Sequence, residues 1–382
     1  MKYSPTEKTS QRRDVAAASV VSAAGAAIFL ILPLIVGTAT VSWQLNSEKA
    51  GLIASSYFLG YLLICLSTVF WIYKVDWRHV SLVGFSLLGG GLVVSAFAQD
   101  YMILLGGMFV SGIGGGGLFA LALCIIAQTE NPDRYFGVKL VAEQLLGVAL
   151  LFSLPLLIAA GYGFSEVILA TGCVLTALGI ASFWVPRETD VSLELEGDDT
   201  KRAVSLLPLW IGLAALFVYF SGLSAVWAFA ERIADGNGID TVTIGRGLSF
   251  GLFGGGLGAL AAALLGDRFG RTLPLALSAL ILAAVMWVYN AEFSGFTFAV
   301  ATFFFSGAWN YSLAYQMGIV ASVDVSGRFA VTMSAALALG AAVGPALAGM
   351  LVQQSGFGLV ILFAIFAVFV STVPLIRLAG RK

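Results

Sequence analysis

Gly266-Asp267-Arg268-Phe269-Gly270-Arg271 separates two long apolar runs, at about 242–265 and 272–290. Three charges within five residues cannot lie in hydrocarbon, so the stretch predicts a tight, water-facing turn between two membrane helices. Its two glycines permit a sharp reversal, and its charges can pair with one another or with the helix ends.

The rest of the chain agrees with a membrane reading. Of its 382 residues 59% are hydrophobic and only 11% charged, with a mean hydropathy of +0.96. A water-soluble protein of this size needs far more polar surface, so the lipid bilayer is the solvent for most of the chain. The net charge of −1 supplies no basic patch for nucleic acid. Cys65, Cys124 and Cys173 all fall inside apolar runs and read as core-filling thiols, neither disulfides nor metal ligands. With His79 as the one histidine, in a loop, no metal site, cofactor or histidine-based enzyme chemistry is expected.

Stretches long enough to span a bilayer, roughly 20 residues each, occur at about 15–43, 48–72, 79–98, 101–128, 135–160 and 164–185. Six more follow at about 204–232, 242–265, 272–290, 295–322, 328–354 and 356–378. The expected organisation is a polar tail over 1–14, a six-helix bundle over 15–186, a linker over 187–203, a second bundle over 204–378 and a short tail over 379–382. The first apolar run is too long for a signal-peptide core and is read as a retained helix. The acidic linker, with Glu188, Asp190, Glu194, Glu196, Asp198 and Asp199, reads as a solvated tether.

With the N-terminus inside, seventeen of the twenty Lys and Arg residues fall on the inner side, and only Lys49, Arg232 and Arg246 on the outer. That asymmetry predicts cytoplasmic termini and supports an even number of spans.

The two halves resemble each other. Gly163-Phe164-Ser165-Glu166-Val167-Ile168-Leu169 matches Gly356-Phe357-Gly358-Leu359-Val360-Ile361-Leu362 at an offset of 193. Arg134-Tyr135-Phe136 recurs as Arg328-Phe329 at 194, and Phe109-Val110-Ser111-Gly112 as Phe304-Phe305-Ser306-Gly307 at 195. The same offset pairs the loop at 266–271 with Lys74-Val75-Asp76-Trp77-Arg78, where Arg78 takes the place of Arg271 and Asp76 is displaced by two positions from the place of Asp267.

From Ala263 to Arg271 the pattern A-x-x-x-D-R-x-G-R resembles the G-x-x-x-D-R-x-G-R-[RK] loop motif of the major facilitator superfamily, with Ala263 for the first glycine and Thr272 for the last basic residue. The resemblance covers essentially the whole chain. It implies an all-α membrane protein of twelve transmembrane helices in two pseudo-symmetric six-helix bundles, with a substrate site near the midplane. It also implies that Asp267, Arg268, Gly270 and Arg271 form a cytoplasmic gate near the start of helix 5, where Arg134 and Lys139 lie. Lys74, Asp76 and Arg78 form the first-half counterpart. Helices 1, 4, 7 and 10 line the cavity in that family. Helix 4 lacks the family's R-x-x-x-G-x-G: Met108 stands at the Arg position ahead of Gly112 and Gly114.

Glu143 is the one carboxylate well inside a predicted span. A carboxylate at that depth is costly unless paired, protonated or facing water. It reads as a proton-coupling site, as part of the gate, or as the partner of Lys139 four residues earlier on one helix face. Helix 7 carries a stripe of Phe220, Ser224, Trp227 and Glu231, at spacings of four, three and four. Helix 10 offers Asn310, Tyr311, Tyr315 and Gln316, and helix 2 offers Tyr57 and Tyr61. These are candidates for the substrate cavity, with packing and interfacial anchoring as the competing reading. Gly114–Gly117 and Gly340-x-x-x-Gly344-Pro345 read as close helix packing.

No cationic side chain stands near the middle of a span, so the expected substrate is a small, neutral or weakly cationic, partly apolar molecule. The expectation is a monomeric secondary transporter of the bacterial inner membrane, driven by protons. A drug–proton antiporter, a uniporter, and a transport-inactive receptor or scaffold are the alternatives. Lipid, substrate and protons are its expected partners.

Overall fold

The computed structural model describes residues 5–127, 132–187, 206–323 and 330–380, and the predicted linker at 187–203 lies almost wholly outside them. Within these residues the chain is all α, because a backbone in hydrocarbon must satisfy its own hydrogen bonds. Thirteen α-helices are described: α1 (Pro5–Leu30), α2 (Leu32–Ser42), α3 (Ser47–Trp71), α4 (Trp77–Ala96), α5 (Tyr101–Ala127), α6 (Pro132–Ala159), α7 (Phe164–Leu178), α8 (Leu206–Asp235), α9 (Thr241–Leu265), α10 (Thr272–Val288), α11 (Gly295–Val323), α12 (Ala330–Ser355) and α13 (Phe357–Ala379). By length and apolar composition nine spans among the described residues can cross a membrane.

Helices α1 and α2 follow one another across a break at Ile31, and counted as one they leave twelve helical segments among the described residues. The break has a local cause: Pro33 has no amide hydrogen, so the carbonyl of Phe29 loses its intrahelical donor. Helix α1 begins at Pro5, so most of the expected N-terminal tail is helical. Helix α7 is continued by a 3-10 turn, Gly179–Trp184.

The turns fall on two faces. One carries the start of α1, the end of α13 and the turn at 266–271; it is called here the terminal face, and its opposite the far face. Side chains cap the helices where the chain leaves the membrane: Asn46 for α3, Asp76 for α4 and Asp240 for α9. On the far face Ser42 accepts a hydrogen bond from the Phe164 amide at 3.1 Å, and the Tyr101 hydroxyl donates to the Lys49 carbonyl at 2.7 Å.

Glycine lets the helices approach closely. Along Gly114–Gly117, a Cβ at 114 would meet the backbone of Gly84 and Leu88 in α4. One at 115 would meet Tyr57 in α3 and Gly25 in α1, and one at 116 would meet Tyr61 and Ile64 in α3. The run therefore packs α5 against three neighbours.

The bundles meet through two proline–glycine contacts. Gly51 of α3 packs on Pro345 of α12, and Gly245 of α9 packs on Pro155 of α6. Gly51 and Gly245 are 194 residues apart, the offset of the sequence repeat. The glycines therefore stand at repeat positions, while Pro155 and Pro345, 190 residues apart, are offset from the repeat by four residues, about one helical turn.

Candidate transport pathway

Among the described residues, the contacts between the two bundles lie at the midplane and in the far-face half. Ser55 of α3 donates to the Ala342 carbonyl of α12, and a Cβ at Gly349 would meet the backbone of Ser47. Between α6 and α9 the contacts run from Pro155–Gly245 through Ser249, which donates to the Val148 carbonyl at 3.3 Å, to Gly147 against Leu252. In the terminal half the second bundle has a core of its own, including Leu209, Leu216, Leu275, Ile319 and Met333. That core is separate from the large one that joins the bundles. The described arrangement is therefore closed towards the far face.

Aromatic rings fill the midplane. Phe29 lies 5.5 Å from Phe58, 5.5 Å from Phe220 and 5.8 Å from Trp309, measured between ring centres. Phe220 and Trp309 stand edge to face at 5.3 Å, and Phe305 extends the cluster at 5.6 Å from Trp309. These rings come from α1, α3, α8 and α11. The Trp227 indole donates a 3.0 Å hydrogen bond to the Phe29 carbonyl, the acceptor left free by Pro33.

The other predicted cavity residues divide. Ser224 donates to the Gly340 carbonyl at 3.1 Å and packs against Gly344, so it joins α8 to α12 inside one bundle. Glu231 is buried against Gly37 of α2, and its Oε2 has no hydrogen-bond partner. The Asn310 amide donates to the Ser306 carbonyl at 2.9 Å. The Tyr315 hydroxyl donates to the Gly266 carbonyl at 2.8 Å, and Tyr311 stacks edge to face on Tyr315. That places both tyrosines by the loop and away from the aromatic centre. Gln316 is fully buried; its amide nitrogen donates to Ser312 at 2.9 Å while its oxygen has no partner.

Glu143 and Lys139 form a buried ion pair at 2.7 Å, each side chain about 5% exposed (6% and 4%). The Ser22 hydroxyl of α1 donates to the same carboxylate oxygen, and the Lys139 ammonium lies 4.1 Å from the Phe119 ring centre. Tyr61 stands 5.9 Å from Phe119, and Tyr57 is 6.2 Å from Tyr61 with its hydroxyl donating to the Gly25 carbonyl at 3.3 Å. Ser22, Glu143 and Lys139 thus form a polar cluster within the first bundle, with Phe119 between it and Tyr61. Lys139 is a buried cation near the terminal end of its span, and Glu143 holds it neutralised, the pairing that the spacing of four offers.

At the loop, Gly266 and Gly270 both have left-handed backbones, with φ of +50° and +65°. Residues Gly266–Phe269 make a 3-10 turn, as a tight reversal requires. Arg268 is exposed and Arg271 half-buried. The side chains of Asp267 and Arg134 lie outside the described residues. The first-half counterpart is tied into its own bundle. Asp76 accepts from the Arg78 amide at 2.8 Å, and the Arg78 guanidinium donates to the Phe183 carbonyl. Lys74 is exposed.

Phe29, Phe58 and Trp309 had not been singled out in the sequence. Trp309 carried a usable signal, since a tryptophan in mid-span is far from the interface where that residue usually anchors. Phe29 carried one too, four residues before a proline.

Two grooves of about 370 Å³ each lie on the lipid side of the first bundle, along Gly90 and Gly106 and along Ser86 and Gly179. Neither is on the path between the bundles.

No curated protein matches the chain. The family model of the Major Facilitator Superfamily matches residues 16–328. With that match over most of its length and an all-α fold among the described residues, the chain belongs to that superfamily of secondary transporters.

Proposed function

We propose that the protein moves a small, neutral or weakly cationic, partly apolar organic molecule across the bacterial inner membrane by alternating access, driven by protons. The observation that carries this reading is the placing of the cross-bundle contacts among the described residues at the midplane and in the far half, with a separate core in the terminal half of the second bundle. Two bundles joined at one end only are what a rocking transporter needs in one of its two states. The terminal face is the cytoplasmic one, on the strength of its Lys and Arg excess. The aromatic centre favours an apolar or cationic molecule over an anion, because ring faces attract positive charge.

Protons act through the Lys139–Glu143 pair. Protonation of Glu143 breaks the pair and frees a buried ammonium, which shifts α6 relative to α1 and α5. In the alternate state the loop at 266–271 clamps against the start of α6. Counterflow in proteoliposomes, screened over metabolites and drugs, tests transport and names the substrate class. In the same vesicles Glu143→Gln should retain counterflow and lose proton-driven accumulation. Absence of counterflow for every class would favour the receptor reading.

A further inference from the structure

Glu231 sits one helical turn beyond Trp227 on α8, where it meets Gly37, one turn beyond Pro33 on α2. Only 8% of it is exposed, and its carboxyl group occupies the space that any side chain at position 37 would fill. Its Oε2 is buried without a partner, and among the described ion pairs it has none. An ionised carboxylate without a countercharge is expensive to bury, whereas the neutral acid is not. On its own helix Arg232, the next residue, is half-buried and forms no ion pair with Glu231, but its charge acts on it, while Asp235, one turn on, acts in the opposite sense as a like charge. The elements around it bring Glu48 and Lys49 at the start of α3, Glu166 at the start of α7, and Asp240 and Arg246 at the start of α9. Helices α2, α11 and α12 contain no charged residue, and the one on α13, Arg377, lies at the terminal face.

We propose that Glu231 is a proton-binding site in the far-face interface. Its carboxylate takes a proton from the far-face solution as the bundles close there and returns it to the same solution as they part. The proton is not carried across, so this site is separate from the Lys139–Glu143 pair. The proposal rests on the reading that the bundles part at the far face during the cycle. Because the closed form holds the extra proton, lowering the pH favours closure.

The test needs no substrate. Spin labels are placed at Gln99→Cys and Ala291→Cys, exposed far-face positions on the two bundles, after Cys65, Cys124 and Cys173 have been replaced by serine. The distance distribution is measured in lipid nanodiscs between pH 5 and 8. The wild type should shift from a long to a short population as pH falls. Glu231→Gln should remain short throughout and lose the shift, while Asp240→Asn, at the exposed cap of α9, should keep it. Gly37→Ala, which displaces the carboxyl group, should raise the long population at pH 5. A wild-type distance that ignores pH, or a shift that survives Glu231→Gln, overturns the proposal. Transport itself is read separately by counterflow, so its failure would be told apart from this one.

Discussion

The indole nitrogen of Trp227 donates to the carbonyl oxygen of Phe29 at 3.0 Å, and so joins α8 of one bundle to the broken first span of the other. The bond exists because Pro33 cannot supply the donor that a helix would otherwise give to Phe29. A break within one bundle has become the acceptor for a bond between the two.

Trp227→Phe keeps a ring in the cluster and removes the donor. The loss should weaken the far-face closure by about 1 kcal/mol, or roughly fivefold in the open-to-closed ratio. Far-face cysteine labelling should rise accordingly, with no change in thermal stability of the separate bundles.

The Lys139–Glu143 pair makes a different prediction. Breaking a buried pair by removing one partner leaves an uncompensated charge and costs about 3–5 kcal/mol, while replacing both with apolar residues is near neutral. Lys139→Met alone should therefore lower the melting temperature in detergent sharply. Lys139→Met with Glu143→Leu should recover most of the loss while abolishing proton-driven accumulation.

The fold and its site were unequally legible. Twelve spans could be read because each must carry a long apolar run, and the loop could be read because charge and glycine stand out between two of them. The Lys139–Glu143 pairing was available from a spacing of four. The aromatic centre was harder. Phe29, Phe58 and Trp309 look like lipid-facing or packing residues in a chain that contains 28 Phe and 8 Trp. Only the crossing of four helices brings them together. The hydrogen bonds of Ser224 to Gly340 and of Tyr315 to Gly266 were hidden for a related reason: a stripe at helical spacing fixes a face but does not say which neighbour that face meets.

Two classes of glycine can be separated by mutation. Gly51 and Gly245 lie between bundles, so Gly51→Ala or Gly245→Ala should favour far-face opening. Gly112 lies within one bundle, where a Cβ would strike the Tyr57 carbonyl. Overpacking there costs about 1–3 kcal/mol. Gly112→Ala should lower thermal stability and leave the open-to-closed ratio alone.

Asp240 provides a control for pH. Hydrogen bonds from Thr243, side chain and backbone, hold its carboxyl below the ordinary value of 3.8. Its folded value is depressed, so its contribution to α9 is complete above 3.8 and fades as pH falls through the lower, folded value. Asp240→Asn should therefore leave any conformational shift between pH 5 and 8 unchanged. A lost shift would move the pH response from the buried carboxylates to this cap.

The central claim is that the described state is shut towards the far face, and that the bundles part towards the terminal face is the proposal it supports. It is tested most directly by a membrane-impermeant maleimide on vesicles of both orientations, with single cysteines at Ser55 in the far-half contact and Leu313 in the terminal half of α11. Without substrate, Leu313→Cys should react from the terminal face and Ser55→Cys from neither. Faster reaction of Ser55→Cys from the far face than of Leu313→Cys from the terminal face would contradict the account.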